Sequence, residues 1–369
     1  MKIIEMIYFL SSGGAERFVV DLSNELAKKG HDVTIMTLKD DSKDSKNRKF
    51  YYGEIADNVK YINLGLPDGM SLSIQKKIYQ AIRKINPDVV HLHLVNTPLY
   101  ALYAIMRLHK KIKFVETMHN SISTNYNGIV RRMLFSTIGK MKWLQFVCLS
   151  QTNFEEMKAM HPYCRATKIV NGRAPQNTTL MISEVQKEMS TLRSSKDSLL
   201  LLNIARCNKQ KNHKRLIQAV NELNVEGRNV DVAIIGAGFD DTELGKELKT
   251  MASEHIHFLG TRKNIADYLM SADAFCLSSD HEGMPITLIE AILCGTPVIS
   301  TPVCGCIDAI QDGRNGVLAK DFSVEEYKKA ICRFREYKKN IKQNIDKSKD
   351  NSEYTISVCA EKYAELFET

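Results

Sequence analysis

Two glutamates, Glu282 and Glu290, bracket the stretch Glu282-Gly283-Met284-Pro285-Ile286-Thr287-Leu288-Ile289-Glu290-Ala291. An apolar run at 274–277 precedes it and predicts a strand. The spacing after it predicts a helix with Pro285 at the first helical position, where a missing N–H costs nothing. The start of such a helix exposes unpaired backbone N–H groups and a positive dipole end, which together seat a phosphate. Glu290 lies further in, about 7.5 Å along the axis from Pro285 at 1.5 Å per residue. A ribose one diphosphate away from a sugar could meet its carboxylate there. Glu282 stands in the loop before the helix, on the side where a transferred sugar would lie. Taken singly, the two glutamates read more simply as a solvated loop and a solvated helix face.

Cations supply the context. Arg206 follows a strand at 198–205, and Lys211 comes just before a helix at 212–224. Positive groups at the carboxyl end of a parallel strand sit where a doubly wound sheet binds its ligand. A planar guanidinium and a point-charge ammonium could neutralise a diphosphate leaving group without a metal. The whole stretch 206–215 is basic, so Lys209, Lys214 and Arg215 read more simply as solvated charge. Gly13-Gly14, straight after a first strand at 2–9, lets a ligand approach the backbone at the start of the next helix. His119 directly follows a strand at 113–118; by residue type it is as readily structural as catalytic. Gly236-Ala237-Gly238 lacks the third glycine of a dinucleotide fingerprint, Asp241 standing at its place, and reads as a turn. His91 and His93 share one face of a strand, and without a third ligand they read as ordinary cleft or core histidines.

These positions need elements to hold them. Strands are expected at 2–9, 32–38, 59–64, 88–94, 113–118 and 145–149. After a break they resume at 198–205, 229–235, 255–259, 274–277 and 297–300, with amphipathic helices between most of them. Such alternation implies parallel sheets covered on both faces. The break, near Asn171-Gly172 and Pro175, is the expected hinge between two doubly wound halves, residues 1–172 and 173–350. One polar helix is expected at 178–193. A helical tail at 351–369 could pack back across the hinge, and 39–49 reads as a solvated loop. A length of 369 residues suits two domains, and no apolar run is long enough to cross a bilayer. No signal-peptide pattern follows Met1-Lys2. Nine cysteines without paired spacing argue for free thiols in a reducing compartment and against a zinc site. A formal charge of +8 favours anionic partners without choosing among them.

Together these residues resemble glycosyltransferase family 4, the retaining, group 1 type nucleotide-sugar transferases of the GT-B fold. The likeness runs through Gly13-Gly14, His119, the Asn171-Gly172 junction, Arg206 with Lys211, the Glu282–Glu290 pair, and Cys294-Gly295-Thr296-Pro297-Val298-Ile299. It implies an α/β chain of two Rossmann-like domains facing across a cleft, the first for the acceptor and the second for the donor. It further implies that Arg206 and Lys211 bind the donor diphosphate, that Glu290 holds the ribose, and that Glu282 approaches the sugar. Backbone groups of Met284, Ile286 and Thr287 would line sugar and phosphates, and His119 would contact the sugar as a catalytic residue. Two positions depart from the family pattern. Pro285 replaces a frequent glycine and has no N–H to offer, and Cys304-Gly305-Cys306-Ile307-Asp308 replaces a Gly-Gly-x-Pro-Glu stretch.

The implied reaction moves a hexosyl group from a nucleotide-diphosphate sugar, UDP-sugar favoured, to a hydroxyl of a glycan or lipid-linked acceptor. Retention of configuration, no metal or other cofactor, and no nucleic-acid partner are expected. The setting is bacterial surface polysaccharide synthesis in the cytoplasm, with a basic amphipathic helix at 129–143 as a candidate contact with an anionic membrane. Two alternatives stay open: a GT-B nucleotide-sugar epimerase, and a non-catalytic nucleotide-sugar binding protein.

Overall fold

The computed structural model describes residues 1–42, 44–122, 129–347 and 351–369. Its strands form two sheets, each wholly parallel. The first contains β1 (Lys2–Ile7), β2 (Asp32–Lys39), β3 (Lys60–Leu66), β4 (Val89–His93), β5 (Lys113–Met118), β6 (Gln145–Cys148) and β7 (Arg165–Lys168) in the order β3-β2-β1-β4-β5-β6-β7. The second contains β8 (Leu199–Ile204), β9 (Val230–Ile235), β10 (Ile256–Gly260), β11 (Ala274–Leu277), β12 (Val298–Ser300) and β13 (Gly316–Leu318) in the order β10-β9-β8-β11-β12-β13. Both are Rossmann-like. The central strands are continuous apolar runs, such as Leu199-Leu200-Leu201-Leu202, because helices cover both faces. Strand order reverses between β1 and β4 and again between β8 and β11. Ligands of such sheets bind at the carboxyl ends of the strands flanking that reversal.

The chain divides into two compact units, Met1–Ala174 with Ser352–Thr369, and Pro175–Asn351. In the first unit the helix Ile356–Glu368 returns to the sheet that the chain left near residue 174. Arg173 N–H donates to the Tyr354 carbonyl and Ile356 N–H to the Arg173 carbonyl, both at 2.9 Å. Gly172 permits this approach, since a Cβ there would lie 2.5 Å from the Thr355 carbonyl oxygen and 2.8 Å from the Ile356 Cα. Tyr363 and Phe367 of the returning helix are buried.

Several elements differ from expectation. The polar helix at 178–193 is shorter, Ile182–Thr191. In the 39–49 segment Lys39 extends β2 and is buried over the Tyr100 ring, and Asp41 is buried under the Tyr61 hydroxyl, 2.6 Å away. Asp41 also pairs with Lys49 at 3.3 Å and Lys39 with Asp68 at 3.9 Å, so the run is not a plain solvated loop; residue 43 lies outside the described residues. All nine cysteines are free thiols. Among the described residues, no helix is long and apolar enough to cross a membrane.

Candidate active site

In the second unit the candidate residues gather at the β8/β11 reversal. Beyond β8 the chain runs against the glycine turn after β9: a Cβ on Gly236 would lie 1.9 Å from the Ala205 carbonyl oxygen. Cys207 N–H donates to the Ala237 carbonyl at 2.8 Å. The Gly236-Ala237-Gly238 turn is therefore a shelf that holds Ala205–Arg206–Cys207 in place. Arg206 is exposed and makes no ion pair or side-chain hydrogen bond with a described residue. Next comes the tight turn Lys209–Lys211, whose Lys211 N–H is capped by the Asn208 side chain at 3.0 Å. Asn212, in the left-handed region at φ 42°, starts the helix His213–Val225.

Four contacts stitch this segment to the loop after β11. Asp280 N–H donates to the Gln210 carbonyl and the Gln210 amide donates to the His281 carbonyl, both at 2.8 Å. The Ser278 hydroxyl donates to the Lys211 carbonyl at 3.0 Å, and Lys211 Nζ meets Glu282 at 2.5 Å. Glu282 also accepts from the Ser279 hydroxyl at 2.9 Å. Arg215, one of the cations expected in solvent, is instead buried, donating to the Ser278 carbonyl at 2.6 Å and pairing with Asp280 at 2.7 Å. Its partners lie more than sixty positions along the chain, so no local pattern could have revealed it.

The helix after this loop is Ile286–Leu293. Pro285 is its N-cap, with extended backbone at φ −62° and ψ 130°, one position before the place expected for it. The first helical bond runs from Ile289 N–H to the Pro285 carbonyl, leaving the amides of Ile286, Thr287 and Leu288 ahead of it. Met284 and Ile286 bury their side chains, so backbone is what they present, while Thr287 is half-buried. Glu290 sits buried in the same helix. The helix Cys304–Ala309 packs on the loop through Gly305, where a Cβ would lie 2.3 Å from the Gly283 carbonyl oxygen and 2.7 Å from the Met284 Cα. Gly305 thus sets the path of the backbone that carries Glu282 and Met284.

In the first unit Gly13 precedes the helix Gly14–Lys28. What approaches its backbone is the protein's own Glu16: a Cβ on Gly13 would lie 2.1 Å from a Glu16 carboxylate oxygen, and Ser11 donates to that carboxylate at 2.6 Å. His119 is half-buried just past β5, edge-on to Phe18 at 5.8 Å between ring centroids. Its Nε2 lies 3.0 Å from His93 Nδ1, and His93 Nε2 lies 2.6 Å from Glu5 Oε2. His91 Nδ1 is 2.9 Å from the same oxygen. The third group that the His91/His93 pair lacked in sequence is thus Glu5, from the neighbouring strand. The three ligand-type atoms fall within 4.8 Å of one another, but the individual separations are those of hydrogen bonds. Burial acts to raise the Glu5 carboxyl, yet His91 and His93 hold it down at about 2. Burial, helped by His91 and opposed by Glu5, pushes His93 down to about 4. Burial and the two neighbouring imidazoles likewise keep His119 well below the usual histidine range.

Two family models tile the chain: Glycosyltransferase Family 4 matches residues 12–173, and Glycosyl transferases group 1 matches residues 184–351. The N,N'-diacetylbacillosaminyl-diphospho-undecaprenol alpha-1,3-N-acetylgalactosaminyltransferase of Campylobacter jejuni is 25% identical over 258 residues, 67% of each chain. The N-acetyl-alpha-D-glucosaminyl L-malate synthase of Bacillus anthracis is 24% identical over 322 residues, 84% of this chain and 81% of its own. Anabaena Alr3699/HepE, crystallised with UDP-glucose, matches with a TM-score of 0.79 over 100% of this chain and 99% of its own, at 17% identity. At that identity the likeness is one of fold.

Proposed function

This chain belongs to the group 1 and family 4 glycosyltransferases, and from that premise we propose that it moves a hexosyl group from a UDP-sugar to a hydroxyl of a glycan or lipid-linked acceptor, with retention of configuration. The observation that carries this reading is the stitched pair of loops at the β8/β11 reversal, which sets Lys211 and Glu282 beside the start of the Ile286–Leu293 helix. Arg206 and Lys211 neutralise the departing diphosphate, with the amides of Ile286 and Thr287 and the backbone of Met284 as fixed donors. Glu290 accepts from the ribose hydroxyls, and Glu282 orients the sugar. His119 contacts the sugar.

In a front-side displacement the anomeric carbon–phosphate oxygen bond breaks as the bond to the acceptor oxygen forms on the same face. The proton of the attacking hydroxyl passes to the leaving diphosphate. The two cations and the helix start do the neutralising, so no metal is required. The choice of UDP follows the Anabaena structure with UDP-glucose. The lipid-linked class of acceptor follows the Campylobacter relative, whose name places a diphospho-undecaprenol carrier in its reaction. We place the reaction in bacterial surface polysaccharide synthesis at the cytoplasmic face of a membrane.

Incubation with UDP-hexoses and candidate acceptors, with the product linkage read by NMR, tests the reading. An α-linked product from an α-linked donor, formed after exhaustive treatment with EDTA, is expected. A β-linked product would exclude retention, and activity restored only by magnesium or manganese would exclude neutralisation by protein groups alone. Conversion to an epimeric nucleotide sugar would mark an epimerase, and binding without turnover a binding protein.

A further inference from the structure

One face of the first sheet carries a line of polar side chains of which Glu5, His91 and His93 have no role in the proposed reaction. Glu5 on β1 is registered opposite His91 on β4, and His93 follows on the same face two residues later. Glu5, His91 and His93 are each 0% exposed. Phe18 lies edge-on to His93, and Tyr363 and Phe367 lie against His91. The line ends at His119, at the carboxyl edge of the sheet.

Its hydrogen bonds have a direction. An ionised carboxylate only accepts, so the 2.6 Å contact puts the proton of His93 on Nε2. A neutral imidazole then has its lone pair on Nδ1, and His119 Nε2, 3.0 Å away, must be the donor. That leaves the bare lone pair of His119 on Nδ1, which has no hydrogen-bond partner among the described residues. The turn after His93 is constrained as well. Leu94 has φ 73°, in the left-handed region that such a side chain rarely enters, and the Thr97 hydroxyl is within hydrogen-bonding distance of the His93 carbonyl at 2.9 Å and the Leu94 carbonyl at 2.7 Å. Strain of this kind persists where the surroundings over-determine a local geometry, and it clusters at functional sites.

We propose that Glu5 and His93 are positioning residues that hold His119 in its Nε2–H tautomer, so that His119 offers the transferred sugar a hydrogen-bond acceptor at Nδ1 and selects a hydroxyl there. The inference rests on the reading of His119 as the sugar contact. It explains why a glutamate is kept in the middle of a parallel sheet: the fixed acceptor at one end of the line sets the chemistry presented at the other.

Nitrogen-15 NMR of histidine-labelled full-length protein, with His119 assigned by its loss in His119→Gln, reads the tautomer without any assay. A proton on Nε2 of His119 is expected; a proton on Nδ1 overturns the proposal, and this wild-type measurement decides even where variants fold poorly. His93→Phe keeps a ring of similar size but removes the acceptor. It should mix the His119 tautomers and lower kcat about ten-fold, the order of one hydrogen bond, with UDP affinity unchanged. In a His119→Ala background the same change should cost nothing further, whereas a purely structural role would add its cost in both backgrounds. Wild-type tautomer and kcat in a folded His93→Phe protein would overturn the proposal. A His119→Ala protein that transfers at the wild-type rate would instead remove the sugar contact, leaving the tautomer result to stand by itself.

Discussion

The two cations expected at the diphosphate are not equivalent in the folded chain. Lys211 is already paired with Glu282 at 2.5 Å, whereas Arg206 stands exposed. Arg206→Ala should therefore weaken UDP binding by roughly 1.5–3 kcal/mol, about 10- to 150-fold, with the melting temperature unchanged. Lys211→Ala should weaken binding too, but it also leaves the buried Glu282 carboxylate with the Ser279 hydroxyl as its remaining described partner, so the protein should melt earlier. Calorimetric titration beside a melting curve separates the two; a Lys211→Ala protein with wild-type melting would mean that the pair holds nothing together. The imidazole line has a pH signature of its own. As pH falls from about 6.5 to about 4, an unfolded histidine takes up a proton that His93, facing Glu5, His91 and His119, refuses in the fold. Stability should be full above that window and decline through it, and His93→Phe should decline less between pH 7 and pH 5. Equal declines in the two proteins would place the acid sensitivity elsewhere. The sequence pointed to Arg206, Lys211 and the two glutamates because their spacing is local. It was silent on Glu5, and it placed Gly305 only in a stretch that departs from the family pattern; the roles of both exist only once distant strands and loops meet.

Between elements, Gly305 of the Cys304–Ala309 helix lies hard against the Gly283–Met284 backbone. Any side chain there must push the loop aside. Gly305→Ala is thus expected to lose most donor affinity while keeping its far-ultraviolet circular dichroism, and a variant binding UDP like the parent would show that the loop gives way freely. The helix Ile129–Lys140 makes a different case. Its apolar side chains Met133 and Ile138, with Met141 just beyond its end, are divided in the fold. Ile138 is buried, while Met133 is 65% and Met141 52% exposed alongside exposed Arg132, Lys140 and Lys142; the side chains of Val130 and Arg131 lie outside the described residues. The exposed half has the composition of a membrane-surface strip, with about 1 kcal/mol of attraction per basic residue near an anionic leaflet. Co-sedimentation with anionic vesicles at low salt, weakened by high salt and by Arg132, Lys140 and Lys142→Gln, is the expected outcome. Equal, negligible binding to anionic and neutral vesicles would leave the strip to solvent. Strands with long apolar runs were legible from residue types alone. The edge strands β7, Arg-Ala-Thr-Lys, and β13, only Gly-Val-Leu, were not, because an edge strand needs neither length nor two apolar faces to add its ladder of hydrogen bonds.

Over the whole molecule, the chain uses one strand order twice and then sends its last helix home. All the proposed donor residues after position 200 lie in Pro175–Asn351, while the line of imidazoles and its covering helix lie in the other unit. The returning segment supplies Ile356, Cys359, Ala360, Tyr363 and Phe367 to the core of the first unit. It is tied there by Lys29 to Glu361 at 2.7 Å and by the Thr117 and Tyr363 hydroxyls at 2.7 Å. Burial of each large side chain contributes roughly 1.5–3 kcal/mol, so the segment's share is comparable with the 5–15 kcal/mol that holds an ordinary domain folded. A stop after Asn351 should accordingly unfold or severely destabilise the first unit and abolish transfer, while the second unit, losing none of its own residues, still binds UDP. Scanning calorimetry of the truncated chain should show the high transition of the donor half, raised by UDP, and the loss or steep lowering of the other. Gly172→Val, which obstructs the backbone crossing without removing a buried side chain, should produce a milder form of the same split. If the truncated protein melted as the full-length chain does, the last helix would be an appendage, and the imidazole line would have to be held in place by the sheet and the Gly14–Lys28 helix alone.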